Sequence, residues 1–291
     1  MEYHSDRFDD YSLLVFKVDK LIGVIPANRV GDAVHSHQGL TYGGFVISSS
    51  IKLNEVTIAF KTVLKFLETE GISQFYIKVL PAIYSNLPSD EIHYLSFLLD
   101  AKLTRRDVLS VINNSVKRSA ISTIRKRGVK KAENHRLIIK EESNFEMFWN
   151  TILAPNLEHK FKKKPVHSIA EIKLLKERFP NQIRQFNVYK NDKLVAGTTI
   201  FETKNVAHAQ YISANEEKQE LGSLDFLFQH LIQVVFKDKL NFDFGISNEK
   251  EGLKLNEGLL YWKESFGART ITQNFYSFET RNHTKLDNVL Q

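Results

Sequence analysis

Apolar and polar positions alternate in short runs from Tyr11 onward. "SLLVFKVDKLIGVIPANRVGDAVHSH" breaks at Val18-Asp19-Lys20 and again at Val30-Gly31-Asp32, which predicts antiparallel strands joined by tight turns. The period changes at Leu53, where Val56, Ile58, Phe60, Val63, Leu64 and Leu67 recur at helical spacing and Gly71 stands in a helix-stop position. "SQFYIKVL" then reads as a strand stopped by Pro81. "SDEIHYLSFLLDAK" reads as a helix behind a Ser-Asp cap, with Ile92, Leu95, Leu98 and Leu99 on one face, and "TRRDVLSVI" as a closing strand.

The same order returns later. Strands are expected at 184–191, 193–203 and 205–214, with Lys190-Asn191-Asp192-Lys193 as a hairpin turn. A helix follows over 222–237, its stripe formed by Leu224, Leu227, Phe228, Leu231, Val234 and Val235. The strand "NFDFGI", a short helix at 256–265 and the strand "TITQNFYSFE" complete the series. Between the two series the pattern predicts helices interrupted by Pro155 and Pro165.

The two series are collinear. "KLIGVIPANRVGDAVHSH" begins at Lys20 and "KLVAGTTIFETKNVAHAQ" at Lys193, 173 residues on, and His35 and His208 keep that separation. Phe75 and Phe242 are 167 apart, as are Tyr94 and Tyr261. Two blocks separated by a six-residue slip predict two copies of one supersecondary unit. The expected domains are 1–113, and 114–291 with a basic linker helix ahead of the second copy.

Composition fits two such domains: 291 residues, 42% hydrophobic. No apolar run approaches the roughly 18 residues a membrane span needs, and the start is polar and acidic, so a cytoplasmic protein is expected. The absence of cysteine rules out disulfides, thiolate metal sites and a cysteine nucleophile. The net charge of +6 is concentrated in residues 115–140, which hold nine Lys/Arg and one acid. The remainder of the chain is therefore slightly acidic, and the basicity belongs to one segment.

Specific residues now add to this order of elements. "LLYWKESFG" at 259–267 resembles the "LYEKLGF" pattern on the fourth helix of the GNAT acyltransferase superfamily, with Tyr261, Lys263 and Phe266 in the matching places and Ser265 replacing Gly. "LGS" at 221–223 sits where that superfamily has its pyrophosphate loop. Two such copies joined by "STIRKRGVKKAEN" resemble the FemAB (FemABX) group. The resemblance implies an α+β protein of two tandem GNAT-like domains, mixed sheets flanked by helices, acting as an N-acyltransferase. The N-terminal copy would be the acceptor side and the C-terminal copy the donor side. The donor stays open between an acyl-CoA such as acetyl-CoA and an aminoacyl-tRNA. The acceptor would be a small-molecule or lipid- or nucleotide-linked amine, of the kind found in cell-envelope or surface-polysaccharide precursors.

The resemblance also implies a site. Backbone groups of Tyr211, Ile212 and Ser213 would hold the donor arm, with Leu221, Gly222 and Ser223 at a helix mouth and Asn248 nearby. Tyr261 would protonate the leaving group or position the donor, and His208 and Asp243 are the base candidates. Alternation along the strand puts His208 and Gln210 on one face and Tyr211 on the other. His37, Gln38 and Tyr42 in "HSHQGLTYGG", with Arg125 and Lys126, would contact the acceptor. Each has a plainer reading: Gly222-Ser223 as a helix cap, Tyr261 as core, His208 as a structural histidine, the glycine-rich stretch as a turn, the basic run as a solvated face. The histidines lack metal spacing such as H-E-x-x-H, and no metal is expected. Two rivals to a transferase remain, a nucleic-acid-binding protein acting through 115–140 and a non-catalytic scaffold of the same fold.

Overall fold

The computed structural model describes residues 4–116 and 121–289, so residues 117–120 of the basic stretch lie outside the described part. The chain forms two compact units that interleave in sequence. Unit 1 is Met1–Asp107, Lys250–Gly252 and Thr272–Gln291; unit 2 is Val108–Glu249 and Leu253–Ile271.

Unit 1 opens with β1 (Asp9–Asp10), β2 (Leu13–Lys17), β3 (Lys20–Ile25), β4 (Asn28–Val30), β5 (Ala33–His35) and β6 (Val46–Ile47). Lys17 pairs with Lys20 around the expected turn, where Val18 takes a positive φ of 53°. The predicted helix is α1 (Leu53–Thr69). It buries Val56, Ala59, Phe60, Val63, Leu64 and Leu67 in a core with Phe75, Leu95 and Phe278. Ile58 turns outward, because at about 100° per residue it cannot share a stripe with Phe60. β7 (Gln74–Lys78) and α2 (Glu91–Leu98) follow.

Unit 2 begins within β8 (Lys102–Asn113). Next come α3 (Thr123–Asn134), β9 (Ile138–Glu142), α4 (Glu146–Phe148), α5 (Ala154–Phe161) and α6 (Ile169–Arg178). A π turn over Trp149–Leu153 joins α4 to α5, so Pro155 does not interrupt the helix as expected; it stands in the first turn of α5, where its missing N–H costs little. β10 (Ile183–Lys190) and β11 (Lys193–Glu202) close at Asn191 and Asp192, both with positive φ as a type I′ hairpin requires. β12 (Val206–Ala214), α7 (Lys218–Leu221), α8 (Ser223–His230), β13 (Asn241–Ile246), β14 (Asn248–Glu249), β15 (Lys254–Leu255), α9 (Glu257–Glu264) and β16 (Arg269–Glu279) complete the chain. A π turn at Leu231–Val235 shifts the phase after α8: Val234, expected in the stripe, is 57% exposed and Phe236 takes its place inside. There Phe228, Phe242, Phe244, Phe266 and Trp262 pack mostly edge to face, each such pair adding about 0.5–1.5 kcal/mol beyond area burial.

The sheet of unit 1 runs β1-β4-β5-β7-β16, with β5 and β7 parallel (Ala33↔Gln74 to His35↔Tyr76) and the other pairs antiparallel. β2, β3 and β6 form a separate three-stranded sheet. The sheet of unit 2 runs β8-β13-β12-β11-β10-β9, with β12 and β13 parallel. A division at 113/114 assigns each closing strand to its own copy. The observed pairing is exchanged: Asn113 to Leu109 of β8 pair with β13 in unit 2, and Phe275 to Glu279 of β16 pair with β7 in unit 1. The α+β class and the repeated order of elements stand as expected. Among the described residues no helix is long and apolar enough to cross a membrane.

Candidate active site

β12 is buried on both faces, as a strand inside a mixed sheet must be, and it pairs with β13 at three positions only: Val206↔Asn241, Ala207↔Phe242 and His208↔Asp243. Beyond them β12 continues along β11 to Ala214, while β13 bends at Gly245 (φ +73°) and Ile246 pairs with Leu109 of β8. The strands part at His208 and Asp243. Gly245 permits both the bend and the proximity, since a Cβ there would sit 3.3 Å from His208 Cε1.

Nδ1 of His208 lies 3.0 Å from Oδ2 of Asp243, a spacing at which the ring donates to the carboxylate. The Gly245 amide donates to Oδ1 at 2.7 Å, so each oxygen of Asp243 has a donor. This arrangement makes Nε2 the lone-pair nitrogen of His208. Both groups are buried, Asp243 completely.

Lys263 reaches the same place from α9. Its Nζ donates to the carbonyls of Gly245 (3.0 Å) and Ile246 (2.6 Å) at the end of β13. Burial pulls its ammonium down to about 7, against the opposing charge of Asp243. The sequence carried a signal for this residue: Lys263 stands three positions before the core residue Phe266, on the inward side of the helix. Tyr261 is two positions from Lys263, about 200° around α9, and 56% of it is exposed. Of the expected set Tyr261, His208 and Asp243, the structure brings His208 and Asp243 into contact with Lys263 beside them, and leaves Tyr261 on another side of α9.

The expected facing of the fourth strand also changes. Ala209 pairs with Ile200 and Tyr211 with Thr199, which leaves Gln210 as a β-bulge. The bulge resets the alternation. Ala207, Ala209, Ile212 and Ala214 face the core under α8, and His208 falls on the same side as Tyr211. Tyr211 is itself spoken for: its hydroxyl meets Nδ1 of His167 at 2.7 Å, its ring packs edge-on to Trp149, and its carbonyl accepts from Thr198. Ser213 Oγ accepts from Asn156, whose amide also reaches Ala214 O.

Residues 221–223 are packed rather than open. Gly222 (φ +65°) lies so close to Gly128 of α3 that a Cβ would overlap the Gly128 carbonyl, and a Cβ on Gly128 would overlap the Asp225 carboxylate. Leu221 and Ser223 are fully buried. Arg125 of α3 pairs with Asp225 at 2.6 Å, and Trp262 Nε1 donates to the same oxygen at 3.0 Å. Helix α3 therefore covers the mouth where a pyrophosphate loop was expected, and Arg125, expected at the acceptor, is ion-paired with Asp225. Lys126 is exposed. Asn248, expected near the donor, has its Oδ1 accepting from the Val108 amide at 2.6 Å.

The acceptor candidates of unit 1 are held in place. His37 is completely buried against the rings of His4 and Phe8, and burial is the main reason its pKa falls to about 4, so it makes no surface contact. Gln38 and Asn28 clamp each other through Nδ2 to Oε1 (2.9 Å) and the Gln38 amide to Oδ1 (2.8 Å). Tyr42 and Tyr84 share a hydroxyl contact of 2.7 Å. At the parting of β5 and β7, His35 stacks flat on Tyr76 at 4.6 Å, with tyrosine where unit 2 has Asp243. Among the described residues no cluster of three or more His, Cys, Asp or Glu side chains has the makings of a metal site.

No protein-family model matches the chain, and no curated protein matches it in sequence. Solved structures do match. FemX shares 10% identity over 98% of this chain and 91% of its own (TM-score 0.62), and L-PGS from Bacillus licheniformis 10% over 97% and 89% (TM-score 0.61). A tandem GNAT protein from the clavulanic acid biosynthesis pathway shares 9% over 94% and 85% (TM-score 0.51). At such identities the likeness is one of fold, and the fold of this chain is the FemAB-like tandem GNAT fold.

Proposed function

We propose that unit 2 catalyses transfer of an aminoacyl or acyl group from an activated ester to an amine. The observation that carries this reading is the meeting of His208, Asp243 and Lys263 where β12 and β13 part. Acyl transfer to an amine needs a base for the amine proton and a positive group for the charge that develops on the acyl oxygen or leaving group. His208 Nε2 takes the proton, Asp243 holds the imidazole in the right tautomer, and Lys263 supplies the positive charge.

An aminoacyl-tRNA is favoured over an acyl-CoA as donor. Gly222 is used in helix contact instead of phosphate contact, while α3 presents Lys126, Arg127, Lys130 and Lys131 outward, a face suited to a polyanion. Likeness to FemX and L-PGS supports the transferase class. The acceptor is an amine of the cell-envelope or surface-polysaccharide precursor kind.

The test is turnover with a pool of charged tRNAs and, separately, with a set of acyl-CoAs, each with an amine panel, comparing the natural chain and His208→Ala. Transfer from tRNA that His208→Ala abolishes is the expected result. Transfer from acyl-CoA alone would reverse the donor assignment, and turnover equal in both proteins would remove the site.

A further inference from the structure

Unit 1 has a cavity of about 300 Å³ beyond the point where β5 and β7 separate. Its walls come from the stretch that begins at Gly44 and ends at Ile51, from Ile77, Val79 and Leu80 at the end of β7, from the loop of residues 84–89, and from Glu91, Ile92 and Leu95 of α2. Gly44 (φ +95°) lets the first wall pass close to β7, where a Cβ would lie 3.1 Å from the Lys78 carbonyl. The volume is at the lower end of that found for small-molecule sites.

The lining has a particular chemistry. Phe45, Val56, Ile77, Val79, Ile92 and Leu95 give it apolar walls, serines, Tyr84 and Asn86 give it hydrogen-bonding groups, and no Lys, Arg or His contributes. Its one acidic lining residue is Glu91, which has no ion-pair partner among the described residues. An anionic ligand would meet a carboxylate and no counter-charge. An alkyl chain ending in an ammonium group would find both apolar walls and a charge-assisted acceptor.

We propose that this cavity is a binding site for a primary alkylammonium group, with Glu91 as its counter-ion. The site is distinct from the His208 cluster, and its occupancy can be read without any transfer reaction.

The experiment is ligand-observed NMR titration of the full chain with n-hexylamine, n-hexanol and hexanoate, three chains differing only in the head group. Hexylamine is expected to bind most tightly, hexanol next and hexanoate least. Glu91→Gln should weaken hexylamine by about 10- to 100-fold, the range of a charge-assisted hydrogen bond, and leave hexanol within about twofold. Ile92→Trp, which fills the cavity, should abolish binding of all three. Hexanoate binding as tightly as hexylamine, loss of hexanol binding in Glu91→Gln, or no binding by any of the three at millimolar concentration would each overturn the assignment. A folded state for both variants is checked by their unfolding midpoints.

Discussion

His208 faces Asp243 across the last rung of the β12/β13 ladder, and the carboxylate it meets is held from behind by the Gly245 amide. That order of contacts separates the roles of the two residues. His208→Ala removes the base and should lower transfer by 10²- to 10⁴-fold, and it should lower the unfolding midpoint as well, because Oδ2 of the buried Asp243 loses its donor. Asp243→Asn should lower it comparably, and should also destabilise, because the buried side chain then offers one acceptor to two donors. Tyr261→Phe should stay within about twofold in rate, since that side chain points to solvent. Steady-state rates with parallel thermal melts check all three.

The equivalence of the two parallel ladders, though not their pairing, was legible in the sequence to the residue. Moving Ala33↔Gln74 by 173 and 167 positions gives Val206↔Asn241, and the same shifts carry His35↔Tyr76 onto His208↔Asp243. It was legible because alternation is local and duplicated. The exchange of closing strands was not, since nothing in "TRRDVLSVI" specifies which of two similar sheet edges it joins. The bulge at Gln210 and the π turn at Leu231–Val235 each add one residue, which inverts the later facing of the strand and rotates that of the helix by about 100° without leaving a mark in composition. Lys263 was quoted as part of a pattern, and its spacing from Phe266 places it on the inward side of α9, but its bonds to the Gly245 and Ile246 carbonyls are seen only in the fold.

Lys263 should make stability pH-dependent with a definite sign. Its pKa is lowered in the folded chain, from an ordinary 10.5 to about 7, so between these values the unfolded chain binds the extra proton. Stability should therefore rise with pH from about 7 to 10.5, and below 7 the burial cost is fully present. Lys263→Met removes this dependence. The difference in urea midpoint between the two proteins, followed across that range, should shift in favour of the natural chain as pH rises; a constant difference would mean that Lys263 titrates normally. Lys78, pulled to about 8 mainly by burial, adds a slope of the same sign to both proteins and cancels in the comparison.

Gly222 separates a packing role from a phosphate role. Gly222→Ala places a Cβ at φ +65° and into the Gly128 carbonyl, which should cost about 2–4 kcal/mol. A glycine used to approach a phosphate would instead lose donor affinity with its stability kept. Denaturant unfolding of Gly222→Ala decides between them, and a variant as stable as the natural chain would show that α3 does not press on this position.

The basic face of α3 should behave as a polyanion contact, and its members should differ by burial. Lys126, Arg127 and Lys130 are exposed, so replacing each by Ala should leave stability within about 0.5 kcal/mol. If each meets one phosphate of a tRNA, each substitution should also reduce the slope of log affinity against log salt by about one. Arg125 is different. Its partner Asp225 is 13% exposed, and Arg125→Ala strands that carboxylate, at a cost of about 3 kcal/mol. Fluorescence anisotropy with deacylated tRNA over a salt series, beside unfolding curves for the four variants, reads both quantities. Salt-independent binding, or a slope unchanged by all three exposed substitutions, would show that the tRNA phosphates do not contact α3.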